Sequence, residues 1–301
     1  MFKLKNMLKK IVCFGEVLWD VLPSERVAGG APMNVSIRLQ SLGIPAKIIS
    51  RTGNDESGKA LLEIIRSKGV DISLVQQDDE LSTGEVLVKL DKTGTASYEI
   101  VYPSAWDKIQ LNEENTDAVN QADVLVFGSL ACRDEVSKNT LRRLLEHAKY
   151  KIFDVNLRPP FYSLVLVEEL MKKADFIKMN EEELDLLTKA MGCTKDEIEE
   201  KINFTAKKTN THSICVTRGD KGAVLFMDGS FFSHPGYKVT VADTIGAGDS
   251  FLAALISKIF DSVDHARSLQ FASAMGAIVA SKKGAIPDVS KKEIERILGN
   301  Q

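Results

Sequence analysis

Residues 151–177 read KIFDVNLRPPFYSLVLVEELMKKADFI, and their pattern decides the fold class. Lys151-Ile152-Phe153 is a short apolar run, Leu164 to Lys172 a longer amphipathic segment, and Asp175-Phe176-Ile177 a second apolar run. Strand, helix, strand is the unit that builds a parallel sheet, because parallel neighbours need a crossover rather than a tight turn. The alternation continues outward in both directions. Upstream lie Ile11 to Phe14, Val35 to Leu42, Ile48 to Ser50, Ala60 to Lys68, Val124 to Phe127 and Leu141 to Ala148; downstream lie Glu181 to Met191 and Ile214 to Val216. The expectation is an α/β protein with a mainly parallel central sheet and helices on both faces.

One region departs from this rhythm. Thr83 to Leu90 and Ala96 to Val101 alternate polar with apolar residues and are joined by Asp91-Lys92-Thr93-Gly94, the pattern of a half-exposed hairpin. Leu18-Trp19-Asp20-Val21-Leu22 offers a further strand before the loop at Gly29-Gly30. Together they predict a small β-sheet lid, with strands inserted at about 17–30 and 81–106 of a single domain over 10–300. A half-apolar hairpin is marginal alone, so its edges suggest a homodimer paired through the lid.

Composition narrows the class. The chain has 301 residues, 44% of them hydrophobic, and a formal net charge of −3 without long blocks of one sign. That balance gives no electrostatic footprint for nucleic acid or for an anionic membrane. Cys13, Cys132, Cys193 and Cys215 are scattered without a CxxC pair and read as free thiols in a reducing compartment. The basic start, Met1 to Lys10, precedes an apolar run broken by Gly15, Glu16 and Asp20, too soon for a signal peptide. No apolar stretch reaches the roughly 18 residues of a membrane helix, so the expected location is the cytoplasm.

In open parallel sheets ligands bind beyond the carboxyl ends of the strands. Polar residues stand there: Glu16 and Asp20, then Asp154, Asn156 and Arg158, then Asn180 and Glu183, then Thr217, Arg218 and Gly219. Each taken singly is also a helix cap or turn former. Near the C-terminus, Asp243-Thr244-Ile245-Gly246-Ala247-Gly248-Asp249 runs directly into the helix-like Ser250 to Ile256. A small-residue turn leading into a helix leaves backbone N–H groups to bind an anion, and Asp249 in the first turn is kept ionised by the helix dipole. A base beside an anion hole suggests phosphoryl transfer. The same residues also describe a well-capped helix, with Asp243 or Thr244 as the cap.

Several familiar motifs are absent: GxxxxGK[ST], HExxH, GxGxxG between strand and helix, and any histidine at metal-ligand spacing. Two long patterns are present. Gly29-Gly30-Ala31-Pro32-Met33-Asn34-Val35-Ser36, continuing through Gly43 to Gly53, and the segment from Asp243 to Ile256 resemble the two signatures of the ribokinase-like (PfkB) carbohydrate kinases. Asn180-Glu181-Glu182-Glu183 between them resembles the family's NxxE motif, and the resemblance covers Ile11 to Ile297.

The resemblance implies an ATP-dependent kinase that moves the γ-phosphoryl group to a sugar hydroxymethyl group. Asp249 would be the catalytic base, and Gly246, Ala247 and Gly248 the anion hole. Asn180 and Glu183 would act through Mg2+ and its waters, with Glu182 as the alternative carboxylate. Thr217, Arg218, Gly219 and Gly222 resemble the family's nucleotide loop, and Ala274 to Gly284 the wall of the adenine pocket. On the acceptor side Asp20, Gly29, Gly30 and Asn34 would bind sugar hydroxyls. Arg158 would reach the acceptor or the transferred phosphate, and Trp106 would either cover the sugar or belong to the core. The K+ that some members bind would fall at Asp243 and the Ile245 carbonyl, although Asp288 departs from the small hydroxyl of some relatives.

Leu18-Trp19-Asp20, Tyr102 to Asp107 and Asp154 to Tyr162 look most like bacterial fructokinases, which implies fructose as acceptor and fructose 6-phosphate as product. Two alternatives stand beside it: a kinase for ribose, 2-keto-3-deoxygluconate or a nucleoside, and a non-catalytic sugar- or nucleotide-sensing protein on the same fold.

Overall fold

The structure, a computed structural model, describes residues 10–90, 96–260 and 264–299. Its strands in chain order are β1 (Ile11–Phe14), β2 (Leu18–Val21), β3 (Arg26–Gly29), β4 (Ala46–Gly53), β5 (Val75–Asp78), β6 (Gly84–Leu90), β7 (Ala96–Ile100), β8 (Val124–Gly128), β9 (Lys151–Asp154), β10 (Phe176–Asn180), β11 (Ile214–Thr217), β12 (Ala223–Met227) and β13 (Ser230–His234). Its helices are α1 (Ala31–Ser41), α2 (Glu56–Ser67), α3 (Glu113–Gln121), α4 (Glu135–His147), α5 (Leu164–Lys173), α6 (Glu181–Ala190), α7 (Ile198–Thr209), α8 (Ala247–Ile259), α9 (His265–Ala280) and α10 (Lys291–Gly299).

The larger sheet has the order β13-β12-β11-β10-β9-β8-β1-β4-β5, and the smaller the order β3-β2-β6-β7. The chain forms two compact units. One comprises Lys9–Leu125 with Ala131–Lys149; the other comprises Val126–Leu130 and the chain from Tyr150 onward, so the division falls inside β8.

In the first unit β1 pairs parallel with β4, Ile11 opposite Ala46 through Phe14 opposite Ile49, and β4 pairs parallel with β5. All four residues of β1 are buried, which is why its sequence is continuously apolar rather than alternating. The small sheet lies wholly in this unit, with β2 antiparallel to β3, parallel to β6, and β6 antiparallel to β7. The hairpin and the strand near Leu18 expected from the sequence are therefore present; β3 was not separated from the loop at Gly29-Gly30. The expected turn at Asp91 to Gly94 and the basic start Met1 to Lys9 lie outside the described residues. Asp55 fastens α2 to the start of β6: its carboxylate accepts the Gly58 N–H that caps the helix and both the N–H and the hydroxyl of Thr83.

In the second unit β9, β10 and β11 are parallel, Ile177 facing Phe153 on one side and Ile214 on the other. The antiparallel pair β12–β13 extends this edge. It turns through Asp228 and Gly229, both at positive φ (51° and 77°), the geometry of a two-residue hairpin loop.

Among the described residues no helix is long and apolar enough to cross a membrane. Cys13, Cys132 and Cys215 are buried and Cys193 is half-buried, all as free thiols. Burial pushes the Cys215 thiol up to about 12 and raises that of Cys13 as well.

Candidate active site

The start of α8 carries the first group of predicted residues. Gly246 is its N-cap, in the left-handed region at φ 71°, and no side chain caps the helix. A Cβ at Gly246 would lie 2.1 Å from the Ala285 carbonyl oxygen, so only glycine fits there. Neither Asp243 nor Thr244 is the cap. Asp243 instead accepts the Ile245 N–H at 2.9 Å and the Gly284 N–H at 3.0 Å, bracing the turn against the loop that follows α9. Asp249 stands in the first helical turn, half-buried, where the dipole favours an anion.

Beneath that turn lies a cluster the sequence did not announce. Lys178 of β10 is buried, and its Nζ donates to Asp154 Oδ1 at 2.9 Å. Burial works against its charge, but the carboxylates of Asp154, Asp249 and Glu183 outweigh that and hold it above the ordinary lysine range. Glu183 closes a capping box: its Oε2 accepts the Asn180 N–H at 2.9 Å while Asn180 Oδ1 accepts the Glu183 N–H at 2.8 Å. Its Oε1 accepts the Leu157 N–H at 2.7 Å, which ties α6 to the loop after β9. Burial raises the Glu183 carboxyl against the pull of Lys178 and these N–H groups. With both oxygens committed, Glu183 suits an ion that keeps its own waters rather than a directly bound one. Asn180 itself is exposed.

Residues of the loop after β11 and of the start of α8 share one cleft, which neither Arg218 nor Gly246 lines. Thr217, Gly219 and Gly222 line a cavity of ≈ 610 Å3 together with Thr244, Ala247 and Gly248. Gly276, Ala277 and Ala280 of α9, within the stretch Ala274 to Gly284, form another part of its wall. Gly222 is obligatory, since a Cβ there would fall 1.9 Å from the His234 carbonyl oxygen. Arg218 pairs with Glu181 at 3.2 Å at the base of this loop. Tyr237, Lys238 and Val239, just after β13, also line the cleft and were missed. Their only signal was Pro235-Gly236, a turn that returns the chain beside Gly222.

The residues expected on the acceptor side, Asp20, Gly29, Gly30 and Asn34, lie in the first unit. Asp20 of β2 is half-buried, and a Cβ on Gly29 would lie 2.5 Å from its Oδ2, so the glycine makes room for this carboxylate. Gly30, at φ 115°, crosses over the Glu16 carbonyl oxygen, which a Cβ would meet at 2.5 Å. It opens α1, and its carbonyl accepts the N–H of the buried Asn34. Glu16, 3% exposed, accepts the Ala31 N–H.

Trp106 belongs to the core. It is fully buried, its indole lies against Gly84, and the Arg133 guanidinium stacks on its ring at 4.0 Å while pairing with the buried Asp107. It presents no face to a sugar. Arg158 is exposed in the loop after β9, donating to the Leu157 carbonyl.

A family model described as pfkB family carbohydrate kinase matches residues 7–292. Probable fructokinase-3 of Arabidopsis thaliana is 32% identical, over 92% of this chain and 87% of its own length. An uncharacterized sugar kinase of Pyrococcus horikoshii, solved in complex with ATP, is 28% identical with a TM-score of 0.82, over 96% of this chain and 99% of that one. A fructokinase of Vibrio cholerae, solved in fructose, ADP and calcium ion bound form, is 25% identical with a TM-score of 0.83, over 97% of this chain and 99% of that one. With a match that runs nearly from end to end, the chain belongs to the pfkB family of carbohydrate kinases.

Proposed function

We propose that the protein transfers the γ-phosphoryl group of ATP to the 6-hydroxyl of fructose. The observation that carries the reading is the single cleft shared by the loop Thr217 to Gly222 and the uncapped start of α8, with Asp249 in that helix's first turn. An elongated ligand with an anionic end fits it, and fructokinase relatives supply the acceptor class.

In this reading ATP lies along the cleft with its γ-phosphate at Gly246 to Gly248, where the N–H groups of Gly246 and Gly248 take up the charge that develops during transfer, that of Ala247 donating to the Thr244 carbonyl at 3.2 Å. Asp20, opposed by Gly29, accepts from adjacent sugar hydroxyls, and Asn34 and the Gly30 turn complete the hold on the acceptor. Asp249 accepts the proton of the attacking hydroxyl. The sugar oxygen bonds to the γ-phosphorus as the bond to the bridging oxygen breaks, leaving ADP, fructose 6-phosphate and a proton to be released from Asp249. Asn180 and Glu183 would hold Mg2+ through its waters, where it would neutralise charge on the phosphates. ATP as donor and four free cysteines suit a cytoplasmic protein.

The test is ADP release from Mg-ATP across fructose, glucose, ribose, 2-keto-3-deoxygluconate and adenosine, in potassium and in sodium. A kcat/KM highest for fructose supports the reading; a higher value for another acceptor reassigns the substrate and leaves the chemistry. Greater activity in potassium supports cation binding at Asp243 and Ile245. Silence with all five acceptors overturns the kinase reading.

We read the exposed edges of the small sheet, β3 and β7, as the surface for a second copy of the chain, with Tyr98 of β7 64% exposed. Sedimentation at micromolar concentration gives a dimer on this account; a monomer rejects it.

A further inference from the structure

We propose that Lys178 is a positioning residue of the transfer site: an ammonium anchored by Asp154 beneath the first turn of α8, where it fixes Asp249 and the backbone around Gly248. This rests on the reading of Asp249 as the base that receives the acceptor's proton.

Three observations carry it. Lys178 sits on a central strand between Ile177 and Met179, both fully buried, and its side chain and that of Asp154 are 8% and 5% exposed. Lysine is rarely this buried, and an ion pair in such a place contributes less to stability than well-packed apolar residues of the same volume. The pair is also incompletely satisfied, because Asp154 Oδ2 is buried without a hydrogen-bond partner. A purely structural pair would be expected to close that gap.

Gly248 supplies the second observation. It lies inside α8, and its φ is not in the left-handed region, so its backbone does not require glycine. Glycine is among the poorest helix formers. What a Cβ at this position would meet is Lys178 Nζ, at 3.3 Å. The glycine leaves room for the ammonium beneath the turn whose residues Ala247 and Gly248 line the cleft.

The third is the charge count. Lys178 is one cation facing Asp154, Asp249 and Glu183, and Asp249 bears on it next after Asp154. A cation held from below by Asp154 cannot follow a departing phosphate or exchange with solvent. It keeps Asp249 oriented as the nucleotide brings further negative charge, and it lends a fixed positive potential to the α8 turn without reorganising during transfer. This effect belongs to the transition state more than to binding of either substrate, so it is read in kcat rather than KM.

The experiment is the paired variant K178M/D154N, which removes both buried charges together and leaves neither uncompensated. Steady-state kinetics with Mg-ATP and the best acceptor are measured beside a thermal melt. The expected result is a folded protein with both KM values within about threefold of wild type and kcat reduced about a hundredfold or more. A folded variant with kcat within about fivefold of wild type, or with a raised KM and unchanged kcat, overturns the proposal. Should the pair not fold, K178Q is read by the same split, normalised to folded protein. A wild type inactive on every acceptor would overturn the kinase reading and this inference with it; an active wild type with an indifferent K178M/D154N overturns this inference alone.

Discussion

In the proposed reaction Asp249, in the first turn of α8, is the base. D249N keeps the shape and the helix-terminal position but cannot take a proton, so kcat is expected to fall by about 10²–10⁴ while the acceptor still binds. Turnover and calorimetric sugar binding on the same preparation check this; full activity in D249N would remove Asp249 from the role of base. The placement of Asp249, Asp20 and the glycines beside them was legible in the sequence because small residues in a turn mark close backbone approach. The structure adds what each missing Cβ would strike: Asp20 for Gly29, the Ala285 carbonyl for Gly246, Lys178 for Gly248. Lys178 was not legible, since one lysine in Phe176-Ile177-Lys178-Met179 looks like an ordinary interruption of a strand. Trp106 was not decided either, because its burial depends on Arg133 and Gly84, both distant in sequence.

At the scale of elements, the parallel strands were legible because each is a short apolar run followed by a helical period. The antiparallel strands β12 and β13 are absent from the sequence reading, although Asp228-Gly229 between two apolar runs is a strong hairpin signal. Helices α3 and α7 were also missed; both are rich in charged and polar residues, which blurs the apolar period. Helix α10 offers a prediction. Its start is bound by Glu293, which accepts the Ser290 N–H and hydroxyl and pairs with Lys282 at 2.6 Å. The bond to Lys282 and those to Ser290 hold the Glu293 carboxyl at about 2, against an ordinary 4.5. A depressed carboxylate stabilises the fold above its unfolded pKa and loses that contribution as pH falls through the folded one. E293A should therefore cost about 1 kcal/mol at neutral pH, with the difference from wild type shrinking between about pH 4.5 and 2. Paired denaturant melts across that range check it; a difference independent of pH would assign the loss to packing.

On the scale of the whole molecule, the fold class followed from the alternation around residues 151–177, whereas the division into two units did not. The break falls inside β8, between Leu125 and Val126 of the apolar run Val124 to Phe127, where no glycine or proline marks it. Contact between segments far apart in the chain sets such a boundary, and a single sequence does not display it.

The four thiols turn that division into something that can be timed. Cys13 and Cys132 are sealed in one unit, Cys215 is sealed in the other, and Cys193 stands half-open. A maleimide applied to the native protein should add once, at Cys193, and the remaining three additions should wait for the core to open. If Cys13 and Cys215 become labelled at one rate in mild denaturant, the two units melt as a single cooperative body; two rates would make each unit a separate clock. The chain thus carries its own dye attachment point and, in its sealed cysteines, its own unfolding gauges.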